Sequence, residues 1–346
     1  MASRVVGGFP VGPDGRVHTT FGHNPSSLRL CSFDPNLQNI PRGGKGDNVE
    51  SWVKECFVAG DGLLFWERDF SAIEAVLVGY FAGSPTYTKF AKLGVHDFFT
   101  SHLLGIPADP KWSDDDLRAY FKKHTKGTPE RDVAKRVVHL SNYMGTPTRM
   151  AYEYPETFPK PKDAARLQGL YFELFPEIRK WHQDLCVRVD GAKQRQAVDQ
   201  EAVDPWTLGV CFARNPFGYV HRFYNVLDWE PVIHDDGKKE WFWSYGEDAK
   251  RLVSFLPQST AAAIIKRAAK RIFYDHYSVG ETLRLLIHDS ILGEVCEDEV
   301  DRCLEISQKV MEAPIEELPL DPSWGMGEYL TIGTEAKVGK SWGSMH

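Results

Sequence analysis

Two apolar, strand-like runs each carry an aspartate, and they lie at opposite ends of a 346-residue chain: LLFWERDFSAIEA at 63–75 and LLIHDSILGEV at 285–295. The stretch from about 110 to 200 reads mostly as helix, whereas the text before 82 and after 280 mixes strands and helices. That order predicts an α+β domain interrupted by a helical insertion. A chain of this length can bury a sizeable core and divide into two lobes. No internal repeat is visible.

Around Asp69, residues 63–66 suit a buried strand, and Ser71-Ala-Ile-Glu74 fits a capping box opening a helix over 72–82, closed by Gly83 and Pro85. Asp69 then sits where strand gives way to helix. Around Asp289, Leu283, Leu285 and Ile287 alternate, and apolar character resumes at 291–295. This predicts a hairpin with His288-Asp289-Ser290 near its tip, although the Asn-Gly or Asp-Gly of a tight turn is missing. Taken alone, each aspartate also reads as a plain turn residue. Brought together by folding, the two would repel. A divalent cation relieves that, and two Mg²⁺ ions about 4 Å apart suit phosphoryl transfer. Mg²⁺ takes one or two carboxylates plus substrate phosphates.

The segment TPERDVAKRVVHLSNYMGTP, 128–147, predicts a helix capped by Thr128, with Pro129 in its first turn and Gly145 and Pro147 ending it. At about 100° per residue, Val133, Val137, Leu140 and Met144 form an apolar stripe. Arg131, Lys135, His139 and Tyr143 form a second stripe of two cations followed by two rings. Such a stripe is either a solvated face or a match for a triphosphate followed by its sugar and base.

The remaining features mainly exclude. The formal net charge of −7 gives no global basic signature for nucleic acid. Six cysteines without a C-x-x-C pair or zinc spacing read as thiols of a reducing compartment. No apolar run approaches the roughly 20 residues of a membrane span, and the N-terminus lacks a signal-peptide core. A cytoplasmic protein without membrane contact is expected. IPRGGKGDN at 40–48 is a Gly-rich loop, 152–165 a Pro-rich connection, and 230–246 two short strands around an Asp-Gly turn. GTEAKVGKS at 333–341 is no phosphate loop, because five residues rather than four separate its glycines.

In this order the motifs resemble those of the family A, DNA polymerase I-like, DNA polymerases. RVHTTFGHNPSSLRLCSFDPNLQNIP at 16–41 resembles that family's approach to the palm, and DFSAIEA at 69–75 its motif A. RDVAKRVVHLSNYMG at 131–145 is similar to motif B, the O-helix of the fingers. LPQSTAAAIIKRA at 256–268 is similar to the palm helix before motif C, IHDSILGEV at 287–295 to motif C, and VGKSWGSMH to the C-terminus. The resemblance implies a right-hand polymerase fold, α+β, with an antiparallel-sheet palm and an inserted, mostly helical fingers subdomain. The implied boundaries are palm 1–84, fingers 85–247 with the O-helix at 129–144, and palm 248–346.

The resemblance also implies roles. Asp69 and Asp289 would hold two Mg²⁺ ions, with Mn²⁺ as a substitute and the Phe70 carbonyl as a further ligand. Arg131 and Lys135 would hold the incoming dNTP, and Lys135 would protonate the leaving pyrophosphate. His96 would add a phosphate contact, Tyr143 would pack near the templating pair, and His139 would face the sugar. Glu74 would block a ribose 2′-OH. Arg29, Asn36, Gln38, Asn39, Gln258 and His288 would line the primer–template DNA, although turn and helix-start hydrogen bonding explains the same residues.

Three departures from the pattern stand out. Ser290 replaces the usual motif C Glu, His139 stands where Phe or Tyr is usual, and Ala75 replaces an Arg. The chain begins just before the palm, so neither thumb nor nuclease domain is expected. Weakly processive synthesis without proofreading follows, with grip supplied by a separate polypeptide, as in a split replicative polymerase of phage type. Two rival readings are a single-subunit RNA polymerase, which Glu74 disfavours, and a degenerate module that binds primer–template without chemistry.

Overall fold

The computed structural model describes residues 8–23, 27–40, 53–198, 211–233 and 238–345. In chain order the strands are β1 (Thr20–His23), β2 (Leu30–Phe33), β3 (Leu63–Phe70), β4 (Cys211–Arg214), β5 (Val220–Phe223), β6 (Leu227–Ile233), β7 (Lys239–Tyr245), β8 (Leu283–Ile287), β9 (Ser290–Cys296), β10 (Ile315–Pro319), β11 (Tyr329–Leu330) and β12 (Thr334–Gly339). The helices are α1 (Ile73–Phe81), α2 (Pro85–Leu93), α3 (Val95–Leu103), α4 (Asp114–His124), α5 (Pro129–Asn142), α6 (Pro147–Glu153), α7 (Pro161–Leu174), α8 (Pro176–Val198), α9 (Ala249–Asp275), α10 (Tyr277–Gly280) and α11 (Val300–Met311). The chain divides into two compact units, Met1–Ser71 with Ala261–His346, and Ala72–Thr260. The expected palm–fingers boundaries at 84/85 and 247/248 both fall inside the second unit.

The first unit is built on an antiparallel sheet of order β12-β3-β9-β8. Register places Phe65 opposite Glu294, Glu67 opposite Leu292 and Asp69 opposite Ser290. Alternation therefore puts 65, 67 and 69 on one face and 64, 66, 68 and 70 on the other. The first face covers a core of Leu37, Ile40, Phe65, Leu285, Ile287, Leu292 and Trp342. On the second, Arg68 is buried and donates to Ser307 Oγ at 2.9 Å and the Leu304 carbonyl at 2.8 Å, both on α11. Trp66 is fully buried there, and a Cβ on its neighbour Gly293 would come within 2.3 Å of the indole. Glycine lets the ring lie flat against the strand.

The second unit is mainly helical, with the hairpins β4–β5 and β6–β7. The turn expected between β6 and β7, at 234–237, lies outside the described residues, as does most of the Gly-rich loop at 40–48. The expected capping box does not form. Ala72, not Ser71, is the N-cap of α1, with φ of 52°, and it makes no side-chain cap bond. Thr128 does stand at the N-cap of α5, but its hydroxyl donates backwards to the Thr125 carbonyl at 2.8 Å. α5 stops at Asn142 rather than at 144, because Met144 turns left-handed (φ 56°) and Gly145 N–H returns to the Leu140 carbonyl at 2.6 Å. Pro147 opens α6 instead of ending α5.

The buried stripe of α5 also differs from the expected one. It is Ala134, Val137, Val138, Ser141 and Asn142, while Val133, Leu140 and Met144 are half-buried. Two polar residues displace apolar ones because their hydrogen bonds are met inside. Asn142 Oδ1 accepts from the Tyr87 hydroxyl at 3.0 Å and the Tyr171 hydroxyl at 2.5 Å, and His182 Nε2 lies 2.9 Å from the Asn142 carbonyl. A buried polar group with its partners in place is tolerated where an unpaired one is not.

Candidate active site

In the first unit, β3 and β9 carry Asp69 and Ser290 side by side, and Asp289 is the residue immediately before Ser290. The Phe70 N–H donates to the Asp289 carbonyl at 3.2 Å. Backbone pairing thus holds both aspartates at the same end of the sheet. The β8–β9 turn is tighter than its sequence suggests: Ile287 pairs with Ser290, leaving only His288 and Asp289 between. His288 takes φ of 50°, a conformation glycine would occupy without strain. Asp289 is about one-fifth exposed, and its Oδ1 accepts from Arg29 Nη2 at 3.4 Å. The pair of half-buried carboxylates, all oxygen donors, fits the Mg²⁺ requirement for one or two carboxylates completed by substrate phosphates.

Of the expected DNA-lining residues in this unit, Gln38 is buried, and its Nε2 donates to the Leu286 carbonyl at 2.8 Å, which pins β8. Asn36 is exposed and its Oδ1 accepts the Asn39 N–H at 3.2 Å, a turn bond. Asn39 and His288 are exposed and Arg29 is half-buried.

In the second unit, Arg131, Lys135, His139 and Tyr143 lie four residues apart along one side of α5, with Lys135 and His139 exposed and Arg131 and Tyr143 half-buried. Tyr143, the residue that ends α5, donates its hydroxyl to Glu74 Oε2 at 2.5 Å. His139 meets Tyr143 edge to face with centroids 5.5 Å apart. Lys135 holds Asp132 at 3.2 Å in an exposed pair. Gln258 is half-buried on α9.

Asp97 is a residue the sequence reading missed. Its side chain is only 4% exposed, and it grips Arg131 through Nε at 2.6 Å and Nη2 at 3.0 Å. Burial would raise its pKa, but the bonds from Arg131 and from the Thr125 hydroxyl at 2.7 Å outweigh this and hold it below the usual carboxylate value. The adjacent His96 is the opposite case. Burial, reinforced by the nearby Arg131 cation, pushes its pKa down to about 4, so its ring is neutral near pH 7. His96 Nδ1 is buried with no hydrogen-bond partner among the described residues. The signal for Asp97 was its place beside His96 in a helix, but nothing in the sequence joined it to a residue 34 positions away.

Residues 10–200 match DNA polymerase family A, more than half of the chain. The chain belongs to DNA polymerase family A. Relatives of this family A chain include DNA polymerase I, thermostable, of Thermus thermophilus, 26% identical over 321 residues, covering 91% of this chain and 32% of the relative. DNA polymerase I of Deinococcus radiodurans is 28% identical over 319 residues, covering 90% and 28%. The chain thus spans about a third of the length of the curated relatives it matches. A similar solved structure is the POL domain of Pol1 from M. smegmatis in complex with DNA primer-template and dNTP, with TM-score 0.64 and 22% identity over 97% of this chain and 49% of that one. The fold is therefore the α+β right-hand polymerase fold. Among the described residues, no helix is long and apolar enough to cross a membrane.

Proposed function

We propose that this family A chain adds deoxynucleotides to a primer 3′-OH under the direction of a DNA template. The observation that carries the reading is the backbone-held placement of Asp69 and Asp289 at one end of the β3–β9–β8 ladder. Both carboxylates, with the Phe70 carbonyl, would hold Mg²⁺, for which Mn²⁺ could stand in. Such ions supply charge neutralisation on the phosphate and ease ionisation of the attacking hydroxyl. The names of the relatives and the ligands of the similar POL domain support the same assignment.

The protein's own side chains then bind and orient. Arg131, steadied by Asp97 through two of its nitrogens, has Nη1 left for a phosphate oxygen. Lys135 gives up a weak exposed pair with Asp132 to reach the triphosphate and to protonate the leaving pyrophosphate. His96, neutral in the free protein, donates an N–H rather than a charge. Glu74, fixed by Tyr143, excludes a 2′-OH, and His139 stacks beside the sugar. Arg29, Asn36, Asn39, Gln258 and His288 contact primer–template, while Gln38 positions β8 from beneath. For these 346 residues alone we propose weak, distributive synthesis without proofreading, in the cytoplasm, with duplex grip supplied by another polypeptide segment.

The test is extension of a labelled primer with Mg²⁺ and either dNTPs or NTPs. Extension with dNTPs is expected, and Asp69→Asn or Asp289→Asn is expected to lower the rate by about 10³-fold or more, roughly 4 kcal/mol of barrier. Near-wild-type extension by either variant would sink the reading.

A further inference from the structure

We infer that Glu67 is an auxiliary carboxylate of the metal-binding end of the sheet, held there by the Ser290 hydroxyl. The inference rests on the proposed metal role of Asp69 and Asp289. Glu67 stands two residues before Asp69 on β3, so both side chains emerge from the same face. Its direct partner across the ladder is Leu292, and Ser290 is the diagonal neighbour, within reach of a long side chain. The reach is made: Ser290 Oγ donates to Glu67 Oε1 at 2.7 Å. Ser290 is itself 1% exposed, and its Oγ also lies 3.1 Å from the Ile287 carbonyl, which shares the single hydroxyl hydrogen with the carboxylate, so the hydroxyl sits between the turn and Glu67.

That neutral hydroxyl is the only hydrogen-bond or ion-pair partner of Glu67 among the described residues. Lys337 faces Glu67 across β12 but forms no ion pair with it. By contrast Glu294, further along the same face, is neutralised by Arg16 at 2.8 Å and Arg284 at 3.0 Å. A half-buried carboxylate without a cation, on the face and at the end where Asp69 stands, adds negative charge that a divalent ion would relieve. Among the described residues no three His, Cys, Asp or Glu side chains converge closely enough to hold an ion as they stand. Glu67 is therefore a positioning residue one layer outside Asp69 and Asp289: it strengthens the field at the ligands and accepts hydrogen bonds there. This places the carboxylate that motif C lacks at Ser290 on the neighbouring strand instead.

The test is titration of the intact chain with Mn²⁺, without nucleotide or DNA, read from the electron paramagnetic resonance signal of free Mn²⁺. Glu67→Gln is expected to weaken binding about tenfold. Ser290→Ala is expected to weaken it less, and the double variant no more than Glu67→Gln alone, since the two residues act as a unit. The Mg²⁺ concentration for half-maximal extension should rise in parallel while KM for dNTP holds. Should Glu67→Gln fold poorly by circular dichroism, Ser290→Ala carries the test. Unchanged Mn²⁺ binding in Glu67→Gln, or in Ser290→Ala in its place, overturns the inference. If Asp69→Asn still loses binding in that case, only the role of Glu67 fails. If Asp69→Asn also binds as wild type, the metal role of Asp69 on which the inference rests fails with it.

Discussion

At the residue scale, Asp97 governs what Arg131 can offer. A guanidinium gripped at two nitrogens is oriented in advance, and its side-chain entropy is lost on folding rather than on nucleotide binding. Asp97→Asn keeps the shape and removes the charge. It is expected to cost about 2 kcal/mol in chemical denaturation, as one partner of a largely buried pair is lost, and to raise KM for dNTP more than it lowers kcat. The Tyr143–Glu74 bond makes a second case. Tyr143→Phe should lose about 1–2 kcal/mol of stability, the worth of a hydrogen bond to a charged acceptor, and should narrow the dNTP/NTP ratio of kcat/KM. Glu74 shows how local reading goes astray: a Glu three residues after a Ser looks like a cap, yet the Ala72 backbone turns left-handed and the carboxylate serves a tyrosine 69 residues away.

At the element scale, α5 is legible in the sequence as a helix with a cationic, ring-bearing face, of which Lys135 and His139 are exposed while Arg131 and Tyr143 are half-buried. Its buried face is not legible in the same way, because hydrophobicity cannot reveal that Ser141 and Asn142 find partners inside. Asn142→Ala would leave the Tyr87 and Tyr171 hydroxyls without their acceptor. It is expected to destabilise by about 2–3 kcal/mol, read from urea midpoints at constant m-value. In the sheet, Gly293→Ala would drive a methyl into the Trp66 indole. Overpacking of this kind is expected to cost about 1–3 kcal/mol, with altered tryptophan fluorescence as the second readout. The β8–β9 hairpin was readable from alternation, but its two-residue turn was not, since His288 occupies a glycine-like conformation.

At the scale of the whole molecule, acid sensitivity follows from two buried histidines. His96 and His182 both have pKa values lowered to about 4, mainly by burial. Between about pH 6.5 and 4 the unfolded chain binds protons that the folded one refuses. Stability is therefore full above pH 6.5 and falls as pH drops towards 4, approaching about 1.4 kcal/mol per pH unit for each histidine. His182→Asn is expected to flatten the plot of melting temperature against pH in that window. An unchanged slope would show that His182 titrates normally. Against the pull of burial, Asp97 is held below the usual range by bonds from Arg131 and Thr125, and Glu294 by the Gly60 N–H together with Arg16 and Arg284. Their contribution is lost at still lower pH, as each protonates.

The sequence by itself determined the α+β character, the inserted helical segment, the strand–aspartate–helix order of 63–81 and the cationic, ring-bearing stripe of α5, because each is encoded in periodicity over neighbouring residues. Tertiary structure alone decided that Asp69 and Ser290 share a ladder position, that Asp97 holds Arg131, that Tyr143 claims Glu74 and that Ser290 delivers Glu67. All of these join residues remote in the chain, whose meeting depends on strand register and helix packing. Shifting a register by one residue would turn every side chain of β3 to the other face.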